Sequence, residues 1–539
     1  MKHKVVALGI DGPNRRLFDQ WLGEGLLPNI RAIANQGVTA RHSHEKRFRN
    51  ERCWNTFLTG RDMPEAGSSF EPDHYAYFNQ AIQRREAVPF YGLGQAHRVC
   101  IFDLPAPLSD RVDGLQVTGW GSELNASVPM SYPEGLMDEL VARHGPDPKM
   151  ERAMRILDQG SGEANRSFRN PSLYSAEDLG RYRKFLELAV TRRTNICLDL
   201  LARGPWDLFL GLYVESHTAN HLFWHLGQPY PIPSPFPEGD DPLRDLFGSI
   251  DAGIGRIAEA ISPDTYLLVF TIDDTDANLM DVPSMALLPE FLYRWNAPRS
   301  HALSSGEAGG PVPSVRTDYR GHWKHEIWAL RTADGERLLT SPMALEAAGD
   351  ALSWNPASWY KPLWPDMKAF ALPSVSDGYV RLNIVGREAK GKVTVDDFDA
   401  TIMEIITMLE GLTEPRSGRL AVERVVRTRE NPFDAPHIPP DLIICWRDGV
   451  PIDTLDSPDL GRVGPVPYFR SGGHRGHGTR IENLMFARGP GIAPGSEAPD
   501  GRLEDLTATI LRLVGADSPF PIEGRPLLTP DRLRRGNWS

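Results

Sequence analysis

Cysteine is scarce in this chain. Four residues, Cys53, Cys100, Cys197 and Cys445, are spread over 539 positions with no C-x-x-C pair, which excludes a disulfide scaffold and fits a reducing compartment. Positive charge is also short: 59 Lys+Arg stand against 71 Asp+Glu, a formal net charge of −12. A balance of that sign works against extended phosphate-backbone contacts, so nucleic acid is not an expected partner. No window of about 18 apolar residues occurs, so no membrane-spanning helix is expected. The opening M-K-H-K-V-V-A-L-G-I ends at Asp11-Gly12, too soon for the apolar region of a secretory signal. The reading is a cytoplasmic chain without a membrane partner. Internal repeats, low-complexity tracts and a G-x-x-x-x-G-K-[ST] phosphate loop are missing, and no G-x-G-x-x-G follows the first apolar run.

What remains is ordinary for a folded protein: 41% hydrophobic and 24% charged residues. Short, nearly continuous apolar runs lie at Lys4–Ile10, Asp207–Val214, Thr265–Ile272, Asp441–Trp446 and Asn483–Ala487, as strands covered on both faces require. Between them, 3.6-residue periodicity predicts helices over Asn14–Gln36, Ala176–Leu201, Leu243–Ile261, Asp396–Leu412 and Glu504–Val514. The alternation implies an α/β fold, a doubly wound and mostly parallel sheet flanked by helices. The core divides into three parts, 1–100, 175–290 and 441–539. It is interrupted by an insert at 101–174 and by a Trp- and Pro-rich insert at 291–440, expected to form a cap over the functional rim. The tryptophans there would serve either packing or a planar substrate group.

Ligands of open α/β sheets bind beyond the carboxyl ends of the strands. Asp11 follows the first run, Glu215-Ser216-His217 with His221 follows the second, and Asp273-Asp274 follows the third. A Gly-rich loop, S-G-G-H-R-G-H-G, adds His474 and His477. Each piece has a plainer reading. A strand-end aspartate often caps a helix, and a His-x-x-x-His pair also occurs on solvated helices. Together, carboxylates and imidazoles from four segments point to two divalent metals.

The order of motifs resembles the alkaline phosphatase superfamily, in particular its type I phosphodiesterase/nucleotide pyrophosphatase branch. The matching segments are Asp11-Gly12, L-P-N-I-R-A-I-A-N-Q-G (Leu27–Gly37), W-N-T-F-L-T-G (Trp54–Gly60) and His217-Thr-Ala-Asn-His221-Leu-Phe-Trp224. They continue with Ile272-Asp273-Asp274-Thr275, Gly473-His474, Gly489-Pro490-Gly491-Ile492, E-D-L-T-A-T-I-L-R-L-V-G (Glu504–Gly515) and E-G-R-P-L-L (Glu523–Leu528). The segment D-G-Y-V-R-L-N-I-V-G-R-E (Asp377–Glu388) is similar to one in intracellular members. Its arginines could face an anionic substrate or form a salt-bridged strand.

The resemblance implies two ligand sets: His217, His221 and His474 for one metal, and Asp11, Asn50, Asp273 and Asp274 for the other. Three positions depart from the family pattern. His217 stands where an Asp is usual, Asp274 where a His is usual, and Asn50 where the Thr, Ser or Cys nucleophile belongs. The first two exchanges compensate, moving one imidazole across the pair. An all-His site suits Zn or Fe, and an all-oxygen site suits Mg, Mn or Fe more than Zn. Asn50 cannot form a covalent intermediate. Cys53 falls past the loop, on the following helix, and is the weaker candidate for that role. The expectation is a metal-dependent hydrolase of a phosphate-type ester or anhydride that acts on a small anionic substrate through metal-bound water. The alternatives are two-metal chemistry that is not hydrolytic (a lyase, transferase or iron-dependent oxidation) and a non-catalytic metal-containing binding protein.

Overall fold

The computed structural model describes residues 3–46, 51–62, 68–79, 88–121, 129–149, 171–304, 309–319, 321–434 and 439–528. Asn50 lies outside them. Ten strands form the main sheet: β1 (Val5–Asp11), β2 (Val38–Lys46), β3 (Gly94–Phe102), β4 (Val112–Thr118), β5 (Met130–Tyr132), β6 (Leu208–Tyr213), β7 (Tyr266–Ile272), β8 (Thr479–Arg488), β9 (Ser496–Glu497) and β10 (Gly501–Arg502). The order is β9-β2-β8-β7-β1-β6-β3-β4-β5, with β10 also on β2. The centre, β7-β1-β6-β3-β4, is parallel throughout. β8 runs antiparallel to both its neighbours, so the sheet is mixed but mostly parallel.

β1, β6 and β7 are almost wholly buried. Apolar side chains of alternate parity enter two cores, one on each face of the sheet; a strand covered on both sides cannot alternate between apolar and polar. The flanking helices used below are α1 (Arg15–Glu24), α2 (Pro28–Gln36), α3 (Glu51–Thr59), α4 (Ala176–Ala202), α5 (Glu215–Gly227), α6 (Pro242–Ala260) and α7 (Leu503–Val514). The single helix expected over Asn14–Gln36 is two, because Gly25 takes a left-handed φ of 80° and Pro28 opens the second.

Two expectations change. The run at Leu442–Trp446 is a strand outside the main sheet. It lies between Gly378–Leu382 and Val422–Arg427 in a separate four-stranded antiparallel sheet. Conversely, β2, β3 and β4 carry polar residues on one face or at their starts, which hid them from a search for continuous apolar runs.

Candidate metal centre

β1, β6 and β7 run in parallel register and end on one rim. Asp11 is the last residue of β1, and Gly12 follows with φ 65°; a Cβ there would sit 3.3 Å from His217 Nδ1. β6 leads directly into α5, which carries Ser216, His217, Asn220 and His221. Ser216 Oγ donates to Asp11 O at 2.6 Å, and Asn220 Nδ2 donates to Gly12 O at 3.0 Å. The helix start is therefore bolted to the strand end. At the end of β7, Asp273 adopts φ 62°, a conformation that Asp tolerates better than most residues, and its Oδ1 accepts from Asp274 N at 2.8 Å.

Three imidazoles meet here. The ring centroids of His217 and His221 are 4.5 Å apart, and His474 lies 5.0 Å from each. The tautomers of two of them follow from their partners. His221 Nδ1 faces Gly472 O at 2.8 Å, and Arg470 Nη1 approaches its Nε2 at 2.8 Å. Carbonyls only accept and guanidinium groups only donate, so Nδ1 of His221 carries the proton and Nε2 presents a lone pair. His474 Nδ1 likewise donates to Asp274 O at 2.7 Å, leaving its Nε2 bare. A carbonyl-anchored imidazole with a bare second nitrogen, as at His474, is prepared to ligate a metal; at His221 a metal would take the Nε2 lone pair that Arg470 Nη1 holds here, with His217 Nε2 also 3.0 Å away. Gly472 permits the close approach: a Cβ would fall 2.1 Å from Asn220 O.

Two donor groups are thereby assembled, His217/His221/His474 and Asp273/Asp274/His474, with the donor atoms of each within 4.8 Å of one another. Asp11 reaches the first through Oδ2, 3.2 Å from His217 Nδ1. Asp11 Oδ1 and Asp274 Oδ1 are buried and have no hydrogen-bond partner among the described residues. A buried carboxylate oxygen without a partner is costly, and both belong to carboxylates of this cluster. The donor set thus fits divalent metal ions.

The electrostatics agree. Burial, then Arg470 and the neighbouring imidazoles, hold His221 well below the ordinary histidine range. His474 is also lowered by burial, against the pull of Asp273. Burial works against an Asp273 carboxylate, yet His474 and Lys46 hold its pKa below the usual range. Burial raises the Asp274 carboxyl to about 6, with Lys46 opposing and Asp273 reinforcing. Cys53, on α3, is buried; burial and then the Asp273 and Asp11 charges raise its thiol well above the ordinary range. A protonated thiol beside carboxylates is a poor nucleophile.

Arg381 and Arg387 are committed elsewhere. Arg381 Nε donates to Glu388 Oε1 at 2.8 Å, and Arg387 bonds both Asp441 oxygens at 2.8 Å, so both belong to a buried ion-pair network. His477 donates its backbone N–H to Asp377 at 2.9 Å, and that hydrogen bond steadies the His474 loop.

The sequence reading missed two cations at this rim. Lys46, the last residue of β2, is 2% exposed. Arg470, four residues before His474, is held by Asp281, which also accepts from Ser376 N at 2.9 Å. Lys46 was detectable: counting by twos from the inward residues Val38, Ala40 and His42 turns it inward as well.

No family model matches the chain, and no curated protein matches it. Among solved structures, murine ectonucleotide pyrophosphatase/phosphodiesterase 5 is similar at TM-score 0.47 and 11% identity, over 97% of each chain. The human protein of that name gives TM-score 0.46 and 11% identity, again over 97% of each. Phosphonoacetate hydrolase from Sinorhizobium meliloti 1021, in complex with phosphonoformate, gives TM-score 0.43 and 13% identity over 96% of each. The first two bear the name of the branch that the sequence motifs resemble.

Proposed function

We propose that this chain is a metal-dependent hydrolase of phosphate-type esters or anhydrides, built on an alkaline phosphatase-like scaffold. One observation carries the reading: three clustered imidazoles, two of them with carbonyl-anchored Nδ1 atoms, beside buried carboxylate oxygens that have no hydrogen-bond partner among the described residues. His217, His221 and His474 would hold one ion, Zn or Fe. Asp11, Asp273, Asp274 and Asn50 would hold the other, Mg, Mn, Fe or Zn. Bound there, such ions act as Lewis acids toward a phosphoryl oxygen and lower the pKa of water toward about 7.

The chain's own residues fix the frame. Ser216 and Asn220 lock the two α5 imidazoles against the β1 end, and the carbonyls of Gly472 and Asp274 set the ring orientations. Asn50 offers carbonyl lone pairs and two N–H donors but no nucleophile, and buried Cys53 does not replace it. Water therefore attacks in one in-line step, without a covalent enzyme intermediate. Residues 291–440 are read as the substrate cap. In support, Ser376 Oγ donates to His474 O at 3.2 Å.

Elemental analysis of protein purified without added metal should give about two divalent ions per chain, and chelation should abolish ester hydrolysis. A substrate chiral at phosphorus should show inversion, and Asn50→Ala should reduce turnover. Retention, or a trapped covalent adduct, would exclude direct attack by water. Fully loaded protein that hydrolyses no phosphate or sulfate ester would favour the non-hydrolytic alternative.

A further inference from the structure

Two buried cations at the rim are incompletely satisfied. Lys46 Nζ has no hydrogen-bond partner among the described residues, and neither does Arg470 Nη2. They reach the centre from different sides. β2 is antiparallel to β8, which is antiparallel to β7, so β2 and β7 end on the same rim. Ala40 and Phe270 both pair with Met485, which levels the two strands. Lys46, six residues beyond Ala40 and on the same face, therefore overhangs the turn that begins at Asp273. Its charge acts on Asp273, Asp274, His474 and Cys53.

Arg470 stands on the imidazole side. Its Nε is paired with Asp281, its Nη1 lies on His221 Nε2 at 2.8 Å, and its plane sits 5.5 Å from the Phe469 ring centroid. Phe469 is in turn stacked on Trp354 at 5.4 Å. A guanidinium gripped along one edge keeps the other edge for a planar or tetrahedral oxyanion.

We propose that Lys46 and Arg470 form an anion clamp across the donor groups, each directing an unpartnered N–H to a different oxygen of one doubly charged phosphate- or phosphonate-type group. A buried ammonium with no hydrogen-bond acceptor among the described residues is costly in the free protein, and an oxyanion seated between the two cations reduces that cost. The clamp deepens the hydrolase reading and rests on it, since the anion it holds is the substrate's reacting group.

The test is calorimetric binding of inorganic phosphate to the metal-loaded full chain, with metal content measured on the same samples. Lys46→Met and Arg470→Met should each keep their metal and bind phosphate about tenfold or more weakly, the loss of one charge-assisted contact. Lys46→Arg, which restores the charge, should bind within about threefold of the parent. If both Met variants keep metal and full phosphate affinity, the clamp is overturned and the hydrolase reading stands. If Lys46→Met loses its metal, Lys46 serves the ligands and the clamp is again overturned. If the parent chain, fully loaded, neither binds phosphate nor cleaves an ester, the hydrolase reading itself falls.

Discussion

Two strand-end aspartates on this sheet have the same backbone and opposite surroundings. Asp103 follows β3 with φ 58° and Asp273 follows β7 with φ 62°, and both are buried. Asp103 accepts from Trp120 N at 2.9 Å, Gly121 N at 3.0 Å and Arg193 Nη2 at 2.8 Å. Arg193, itself fully buried, also grips both Glu215 oxygens, donates to Leu212 O, and lies between the Phe102 and Trp120 rings. The Asp273 neighbourhood is left open, with Asp11 Oδ1, Asp274 Oδ1, Lys46 Nζ and Arg470 Nη2 lacking a hydrogen-bond partner among the described residues. A saturated cluster is finished as structure, whereas an open one is completed by something that binds. The Arg193 cluster also serves the open site at a distance, since Glu215 begins the helix that carries His217 and His221.

The largest effect should come from breaking the saturated side. Arg193→Met strands Asp103 and Glu215 as buried, uncompensated charges, and denaturant unfolding should show a loss of about 3–5 kcal/mol. An equally stable variant would mean that Arg193 is not what holds the two carboxylates. On the open side, His217→Ala, His221→Ala and His474→Ala should each fold normally, lose about one metal per chain, and cut turnover about 100-fold or more. Three variants with full metal content would make the imidazole cluster a packing feature like its neighbour.

Acid should separate the regions next. His42 and His225 stay neutral because they are buried. Burial, then the His44 charge, lowers His42 from its ordinary 6.5 to about 3, and burial lowers His225 to about 4. The unfolded chain takes up these protons first, so the stability they confer is complete above pH 6.5 and is lost as pH falls toward the folded values. Between pH 7 and 5 each should cost about 2 kcal/mol. His42→Phe and His225→Phe should each remove about that much of the acid sensitivity in matched denaturation curves. Asp441, held by arginines, should be untouched over that range; Arg387 and its neighbours outweigh burial and keep its carboxyl below its ordinary value. The smallest effect should be at Cys53. Its thiol is protonated at neutral pH, so Cys53→Ala should leave turnover within about threefold, and a larger loss would return Cys53 to the chemistry.

Much of this was legible along the chain. Continuous apolar runs located β1, β6 and β7, and the polar residues just past them named Asp11, His217, His221, Asp273 and Asp274. The run Asp441–Trp446 reads as a strand, and Leu442–Trp446 is one, but its membership of a second sheet is invisible in the sequence, because apolar character says that a strand is covered and not which neighbour pairs with it. β3 was missed because Gly94–Arg98 is polar and only its last residues are buried, and with it went Asp103, the aspartate that resembles Asp273 most closely.

Local pattern, then, determined the fold class, the strand ends and the candidate donors, because backbone periodicity and turn chemistry act over a few residues. Tertiary structure decided which donors meet and which are already satisfied. His221 and the Gly472 carbonyl that fixes its tautomer are 251 residues apart, and Arg387 spends its hydrogen bonds on Asp441, 54 residues away. Saturation of a buried charge is a sum over partners from distant segments, and no local window contains that sum.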